Sequence, residues 1–252
     1  MKKMTSTLSL AAAVTLAMAT LGAPAAHAQT EAAATPDNVI SYNAAITSDY
    51  RYRGLSQSRL KPALQGGVDF VNSPTGLYVG AWASTIKWTN DFGGGGNVEI
   101  DVYAGKRGEI ASGLTYDVGA LAYWYPENDL NPSANTVEVY GQVGYGPAYV
   151  KYSHSTTNLF GTADSKGSGY LDIGANIELM TGLTLNLHAG RQNVKNNDLY
   201  TYNDYKIGVT KDIEGVMVSL AAVKTNSDAY LSPVNGKNLG KSGVVLSISK
   251  SF

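Results

Sequence analysis

From residue 39 onward, apolar and polar positions alternate with a period of two. Val98, Ile100, Val102 and Ala104 alternate with Glu99, Asp101 and Tyr103. Val137, Val139 and Val143 alternate with Glu138, Tyr140 and Gln142, and the run Leu171, Ile173, Ala175, Ile177, Leu179 alternates with Asp172, Gly174, Asn176 and Glu178. Leu183, Leu185, Leu187 and Ala189 do the same with Thr184, Asn186 and His188. On a helix, residues of one face are three or four apart, so this pattern belongs to strands with one apolar and one polar face. Val, Ile, Tyr and Thr dominate these segments, and they suit a pleated, half-buried surface. The pattern predicts twelve strands, near 39–48, 62–72, 76–87, 97–106, 113–124, 136–146, 148–157, 169–180, 183–191, 203–211, 216–225 and 242–252. The third is ambiguous, because Tyr78, Trp82 and Ile86 compete with Leu77, Val79 and Ala81 for its apolar face.

The connections sort by side. Those after even-numbered strands are short: Ser73-Pro74-Thr75, Gly146-Pro147, Thr181-Gly182 and Asp212-Ile213-Glu214-Gly215, with Arg107–Ser112 slightly longer. Those after odd-numbered strands are long: 49–61, 88–96, 125–135, 158–168, 192–202 and 226–241. A soluble sandwich has no reason to separate its loops this way. Outer-membrane barrels do, with short turns at the periplasmic rim and long loops at the outer one. An even number of strands puts both termini on the short-turn side. The predicted fold class is therefore all-β, a closed antiparallel transmembrane barrel of about twelve strands.

The N-terminus supports export. Lys2 and Lys3, the apolar run Leu8–Leu21 and Ala26-His27-Ala28 before Gln29 are the three parts of a secretory signal peptide. Residues 1–28 are read as that peptide, 29–38 as a flexible leader and 39–252 as the barrel. No later apolar run approaches the roughly 20 residues a spanning helix needs. In lipid every backbone polar group must be paired within the protein, so a spanning chain without such helices must close into a barrel. A soluble periplasmic sandwich is the alternative, and cell fractionation separates the two.

Composition agrees. Charged residues are 15%, below the roughly 25% of soluble domains. Gly (28) and Tyr (17) are abundant while Phe (4) is scarce, which suits strands with one greasy and one wet face. Cys is absent, so disulfides hold nothing together. A net charge of −1 gives no footprint for nucleic acid.

Four segments carry a family resemblance: Ser48-Asp49-Tyr50-Arg51-Tyr52-Arg53-Gly54-Leu55-Ser56-Gln57; Leu64-Gln65-Gly66-Gly67 before Val68-Asp69-Phe70; Gly76-Leu77-Tyr78-Val79-Gly80-Ala81-Trp82-Ala83-Ser84; and Glu99-Ile100-Asp101-Val102-Tyr103-Ala104-Gly105. They resemble the TorF-type porins, also called the Gcw family of proteobacterial outer-membrane proteins of unknown function. The likeness is sharpest over residues 38–125. It implies an outer-membrane location and a barrel, and supplies no catalytic residues. The chain ends Ser247-Ile248-Ser249-Lys250-Ser251-Phe252. A terminal Phe after an alternating strand is the signal the barrel-assembly machinery reads, although Lys250 stands where an apolar residue is usual.

If apolar residues face lipid, the other parity faces the lumen. The lumen then receives Ser41, Asn43, Gln65, Asp69, Glu99, Asp101, Asp117, Glu138, Tyr140, Lys151, Asp172, Asn176, Glu178, His188 and Lys206. Carboxylates outnumber lysines there by seven to two, and a wall of one sign attracts the opposite ion. This predicts a mild cation preference, unless the groups pair with one another and fill the barrel. The first long loop continues the inward parity through Asp49, Arg51 and Arg53, with Arg59 and Lys61 following. It is read either as a charged constriction or as an Arg–carboxylate clamp. Tyr78, Trp82, Trp88, Tyr116, Trp124, Tyr145, Tyr152, Tyr170, Tyr202 and Tyr205 are read as interfacial aromatics. Tyr103, Tyr123 and Tyr140 remain open to stacking sugars in the lumen.

Other chemistry is sparse. His154 shares its strand face with Thr156 and not with Ser155, and no third partner follows, so a Ser–His relay lacks its geometry. The scattered His residues and the absence of Cys give no metal-ligand cluster, and no cofactor is indicated. Gly93-Gly94-Gly95-Gly96 lacks the Lys of a phosphate loop and reads as a hairpin tip. The leading reading is a non-enzymatic porin for passive passage of small polar solutes or ions. A plugged structural or surface-interaction barrel is the second, and an outer-membrane lipid hydrolase the third. Outer-membrane lipid, the assembly machinery and small solutes are the partners this implies.

Overall fold

A computed structural model describes residues 36–252. The strands are β1 (Asn38–Thr47), β2 (Arg51–Tyr52), β3 (Leu55–Ser56), β4 (Ala63–Asn72), β5 (Leu77–Thr85), β6 (Val98–Ala111), β7 (Leu114–Trp124), β8 (Thr136–Tyr145), β9 (Ala148–Ser155), β10 (Gly169–Met180), β11 (Leu183–Asn193), β12 (Tyr202–Ile213), β13 (Val216–Thr225) and β14 (Gly243–Ser251). β2 and β3 form a small hairpin of their own. The other twelve strands close into one antiparallel barrel in which β14 pairs with β1.

Burial is inverted relative to a soluble protein. Ile40, Leu64, Val102 and Ile207 are exposed on the outer surface, whereas Asp69, Glu99, Glu138 and Asp204 on the other parity are buried. An apolar outer band with a polar interior is what a closed sheet in hydrocarbon requires. The cylinder also leaves no sheet edge unpaired over most of its height. Below Asn43 on β1, the closure ends where Tyr42 N–H donates to the Phe252 carbonyl at 3.1 Å and Phe252 N–H donates to the Tyr42 carbonyl at 2.9 Å.

The predicted strands match these twelve in number and order, and their ends differ by a few residues. β6 runs closer to the turn before β7 than predicted. Ser112-Gly113 alone connects them, so the longer connection read at Arg107–Ser112 is strand for most of its length. In β5 the ambiguity resolves with Leu77 and Val79 outward and Tyr78, Trp82 and Ile86 buried. The predicted signal peptide, 1–28, and residues 29–35 of the predicted leader lie outside the described residues. The last three leader residues are structured: Ser73 N–H donates to the Asp37 carbonyl at 2.8 Å, Ser73 hydroxyl donates to the Pro36 carbonyl at 3.1 Å, and Asn38 opens β1.

Two short helical turns, α1 (Trp88–Asp91) and a 3-10 turn (Asp198–Tyr200), lie in the long connections. Neither was legible in the alternation, because each is under two turns long.

Candidate pore

The lumen is built from tyrosines laid across glycines. Tyr103 on β6 faces Gly80 on β5, which in turn faces Asp69 on β4. With no side chain at Gly80, the ring passes over that strand and its hydroxyl donates to Asp69 Oδ1 at 2.5 Å. Tyr78 on β5 crosses Gly105 on β6 and donates to Asp117 Oδ1 on β7 at 2.5 Å. Tyr170 on β10 crosses Gly190 on β11 and donates to Asp204 Oδ1 on β12 at 2.8 Å. A Cβ at any of these glycines would collide with the ring or hydroxyl. Each bridge spans three strands and caps a buried carboxylate with a charge-assisted hydrogen bond. These bridges account for part of the Gly- and Tyr-rich composition.

The first long loop folds into the barrel. The central residues of the β2–β3 turn, Arg53 and Gly54, have φ of 47° and 78°, the positive values a tight two-residue hairpin turn requires. Arg53 thus becomes the tip of the hairpin and reaches the opposite wall. Its two terminal nitrogens donate to the two Glu138 oxygens at 2.6 and 3.0 Å, and Nη1 also donates to Gln192 Oε1 at 2.6 Å. The guanidinium lies 4.2 Å from the Tyr170 ring centroid and 4.8 Å from that of Tyr52. At the hairpin's base Arg51 pairs with Asp49 at 2.5 Å and donates to the carbonyls of Gly54, Leu239 and Lys241 at 2.9, 2.9 and 3.1 Å. Arg51 therefore ties the first long loop to the last one. Arg59 pairs with Asp91 of α1, and Lys61 is exposed.

The other predicted lumen residues distribute as follows. Tyr50 hydroxyl donates to Glu99 Oε1 at 2.6 Å. Asp101 is 3% exposed, and its Oδ1 has no hydrogen-bond partner among the described residues. Lys151 places its ammonium 3.9 Å from the Tyr140 ring centroid. Asp172 and Asp204 hold His188 between them at 2.9 and 2.7 Å. Lys206 is next to His188 in the β11–β12 register. Glu178 keeps the inward parity but is exposed in the last turn of β10, near the short-turn rim. The seven-to-two tally thus does not describe a bare acidic wall: Asp69, Glu99, Asp117 and Glu138 are each capped by a tyrosine or by Arg53. The parity reading missed Asp204 and Gln192, which extend the inward faces of Lys206 and His188 by one or two steps toward the outer rim. It also missed Tyr50 and Tyr52, which belong to a loop with no period.

The aromatic reading divides. Trp124 and Tyr145 are exposed on the outer surface at strand ends, Tyr152 and Tyr205 are exposed on the same surface further along their strands, and Tyr116 shares that face. Tyr78, Trp82, Tyr170 and Tyr202 are buried inside, and Trp88 packs against Tyr125 with ring centroids 5.1 Å apart. Tyrosines earn inward positions here because their hydroxyls find carboxylates. Tyr103, Tyr123 and Tyr140 are also inside, but their hydroxyls bond Asp69, the Tyr52–Glu138 pair and Tyr78 respectively, so their rings are part of the packing. His154 is exposed on the outer surface while Ser155 is buried in the lumen, on the opposite face. Among the described residues no group of side chains is arranged to hold a metal ion.

On the outer side of Arg53 lies a cavity of about 480 Å³, lined among others by Tyr52, Trp88, Tyr125, Phe160, Tyr202 and Tyr230. The barrel thus has an aromatic outer vestibule, a middle layer crossed by the hairpin, and an inner half whose side chains are less deeply buried.

Residues 31–252 match the sequence pattern of a family described as "Bacterial protein of unknown function (Gcw_chp)". The chain belongs to this family. No curated protein matches the sequence significantly. Among solved structures, a KdgM porin superposes with a TM-score of 0.53 at 6% identity, covering 84% of this chain and 97% of that one. A NanC porin superposes with a TM-score of 0.52 at 10% identity, covering 85% and 99%. At these identities the likeness is one of fold: this Gcw-family chain has the twelve-stranded architecture seen in porins.

Proposed function

We propose that this Gcw-family protein is an outer-membrane porin passing small polar solutes or ions through a lumen narrowed by its first long loop. The observation that carries the reading is the inverted burial of a closed barrel, apolar outside and charged within, at the height of the folded-in hairpin. Residues 1–28 act as the export signal, the short turns and both termini face the periplasm, and Phe252, exposed at the β1–β14 closure, serves assembly. The four segments resembling TorF-type porins support the same reading. Any cation preference comes from Glu178 at the short-turn mouth, since deeper in the lumen Asp69, Asp117, Glu99, Glu138, Asp172 and Asp204 are held by tyrosines, Arg53 or His188, and Asp101 is buried.

Refolded mature protein in planar bilayers tests this. Discrete conductance steps are expected, larger in Arg53→Ala, where the cross-lumen tie is cut. Silence of both proteins would sink the porin reading. It would instead favour a plugged surface-interaction barrel, a second reading to which the burial of Glu99, Glu138 and Asp204 already lends weight.

A further inference from the structure

The lumen is filled unevenly. Inward aromatic side chains come from β5–β10 and β12: Tyr78, Trp82, Tyr103, Tyr123, Tyr140 and Tyr170 are examples. The adjoining strands β13, β14, β1 and β4 carry none among the described residues; their inward positions are Ser, Ala, Val, Asn, Thr, Gln, Gly and single Met and Asp residues. Small side chains leave space beside this arc, whereas the tyrosine bridges fill the other one. A void of about 40 Å³ lies against this arc, lined by Gln65, Lys206, Ser219, Ala221, Val245 and Ser247. At roughly 10–15 Å³ per water, it holds about three waters. Its outer end is roofed by the Asp49–Arg51 pair.

We infer that the permeation path runs eccentrically, along the β13–β14–β1 seam, and not down the barrel axis. The axis is crossed by the hairpin through Arg53 and Glu138, while the walls of β13, β14 and β1 carry only short side chains along the seam. The narrowness of the void sets the solute class: water, partly dehydrated monovalent ions and polar molecules of a few heavy atoms. Lys206 is the ionisable side chain that the barrel wall presents to this void, so the path discriminates by charge through it. The inference rests on the porin reading for its use, but the location of the path can be tested without any current.

The chain has no cysteine, so single-cysteine variants of the full mature protein label at one place. Ser219→Cys and Val245→Cys lie on the seam, whereas Ser153→Cys, on β9, faces the packed arc. In reconstituted vesicles treated on both sides with silver ions, a monovalent thiol reagent small enough for this path, the seam cysteines are expected to be blocked to completion, read as loss of maleimide addition after unfolding, while Ser153→Cys stays protected. Labelling of Ser153→Cys as fast as Ser219→Cys, or protection of both seam cysteines, would overturn the inference. In a salt gradient, Lys206→Gln should shift the reversal potential toward cations; an unchanged potential would overturn the role of Lys206. Loss of all current with seam labelling intact would refute the porin reading and leave the seam in place.

Discussion

At the scale of single residues, the unit that organises this interior is a tyrosine, the glycine beneath it and the aspartate beyond. Gly80 is the clearest case, because its register partners are Asp69 on one side and Tyr103 on the other. Gly80→Ala would push a methyl group into the Tyr103 ring. Overpacking of this kind costs about 1–3 kcal/mol. Tyr103→Phe removes the donor to Asp69 and leaves a carboxylate oxygen without it, costing about 1–3 kcal/mol by a different route. Both variants should unfold at lower denaturant concentration in lipid vesicles. A Gly80→Ala protein as stable as the parent would show that the ring is not held over that strand.

The next scale is the β2–β3 hairpin. Its tip is a bidentate pair, Arg53–Glu138, in which both side chains are almost wholly buried. Removing one partner of such a pair leaves an unpaired buried charge, at a cost of about 3–5 kcal/mol. Arg53→Ala should therefore be strongly destabilising, and Arg53→Ala with Glu138→Ala less so than the sum of the two single changes, because the residues act as a unit. Additive losses in chemical unfolding would show that the pair does not couple the hairpin to the wall. Arg51 acts elsewhere: its hydrogen bonds to Leu239 and Lys241 carbonyls join the first loop to the last. Arg51→Ala should raise the protease sensitivity of residues 226–242, while a cleavage pattern identical to the parent's would contradict that clasp. The parity of the first strand, carried forward past its end, already aimed Arg51 and Arg53 inward and left open whether they formed a constriction or a clamp. It could not name Glu138, Gln192 or Leu239 as partners, since those contacts join residues 85 to 188 positions apart and leave no local trace. The hairpin itself was illegible for a similar reason, because two-residue strands carry no period.

For the whole molecule, the alternation of side chains was enough to show the barrel, because a closed sheet between lipid and an inner wall forces every strand to repeat the same two-faced pattern. It failed where a side chain suits both faces. Tyr78 and Trp82 could pass for interfacial anchors, and only the carboxylate or ring waiting inside decides their side. The same two-sidedness yields the most direct test of the architecture. Val102 is exposed on the outer face of β6, and Glu178 keeps the inward parity of β10 and is exposed at the short-turn mouth. In hydrocarbon a Lys near the bilayer midplane costs about 2–4 kcal/mol, whereas a lumen position keeps it near water. Val102→Lys should therefore lower the stability of the vesicle-refolded barrel by that amount, while Glu178→Lys leaves stability nearly unchanged and alters conductance. If both substitutions were equally tolerated, or if Glu178→Lys were the costlier, the outer face would not be in lipid. The inside and outside of the cylinder would then have to be exchanged or abandoned.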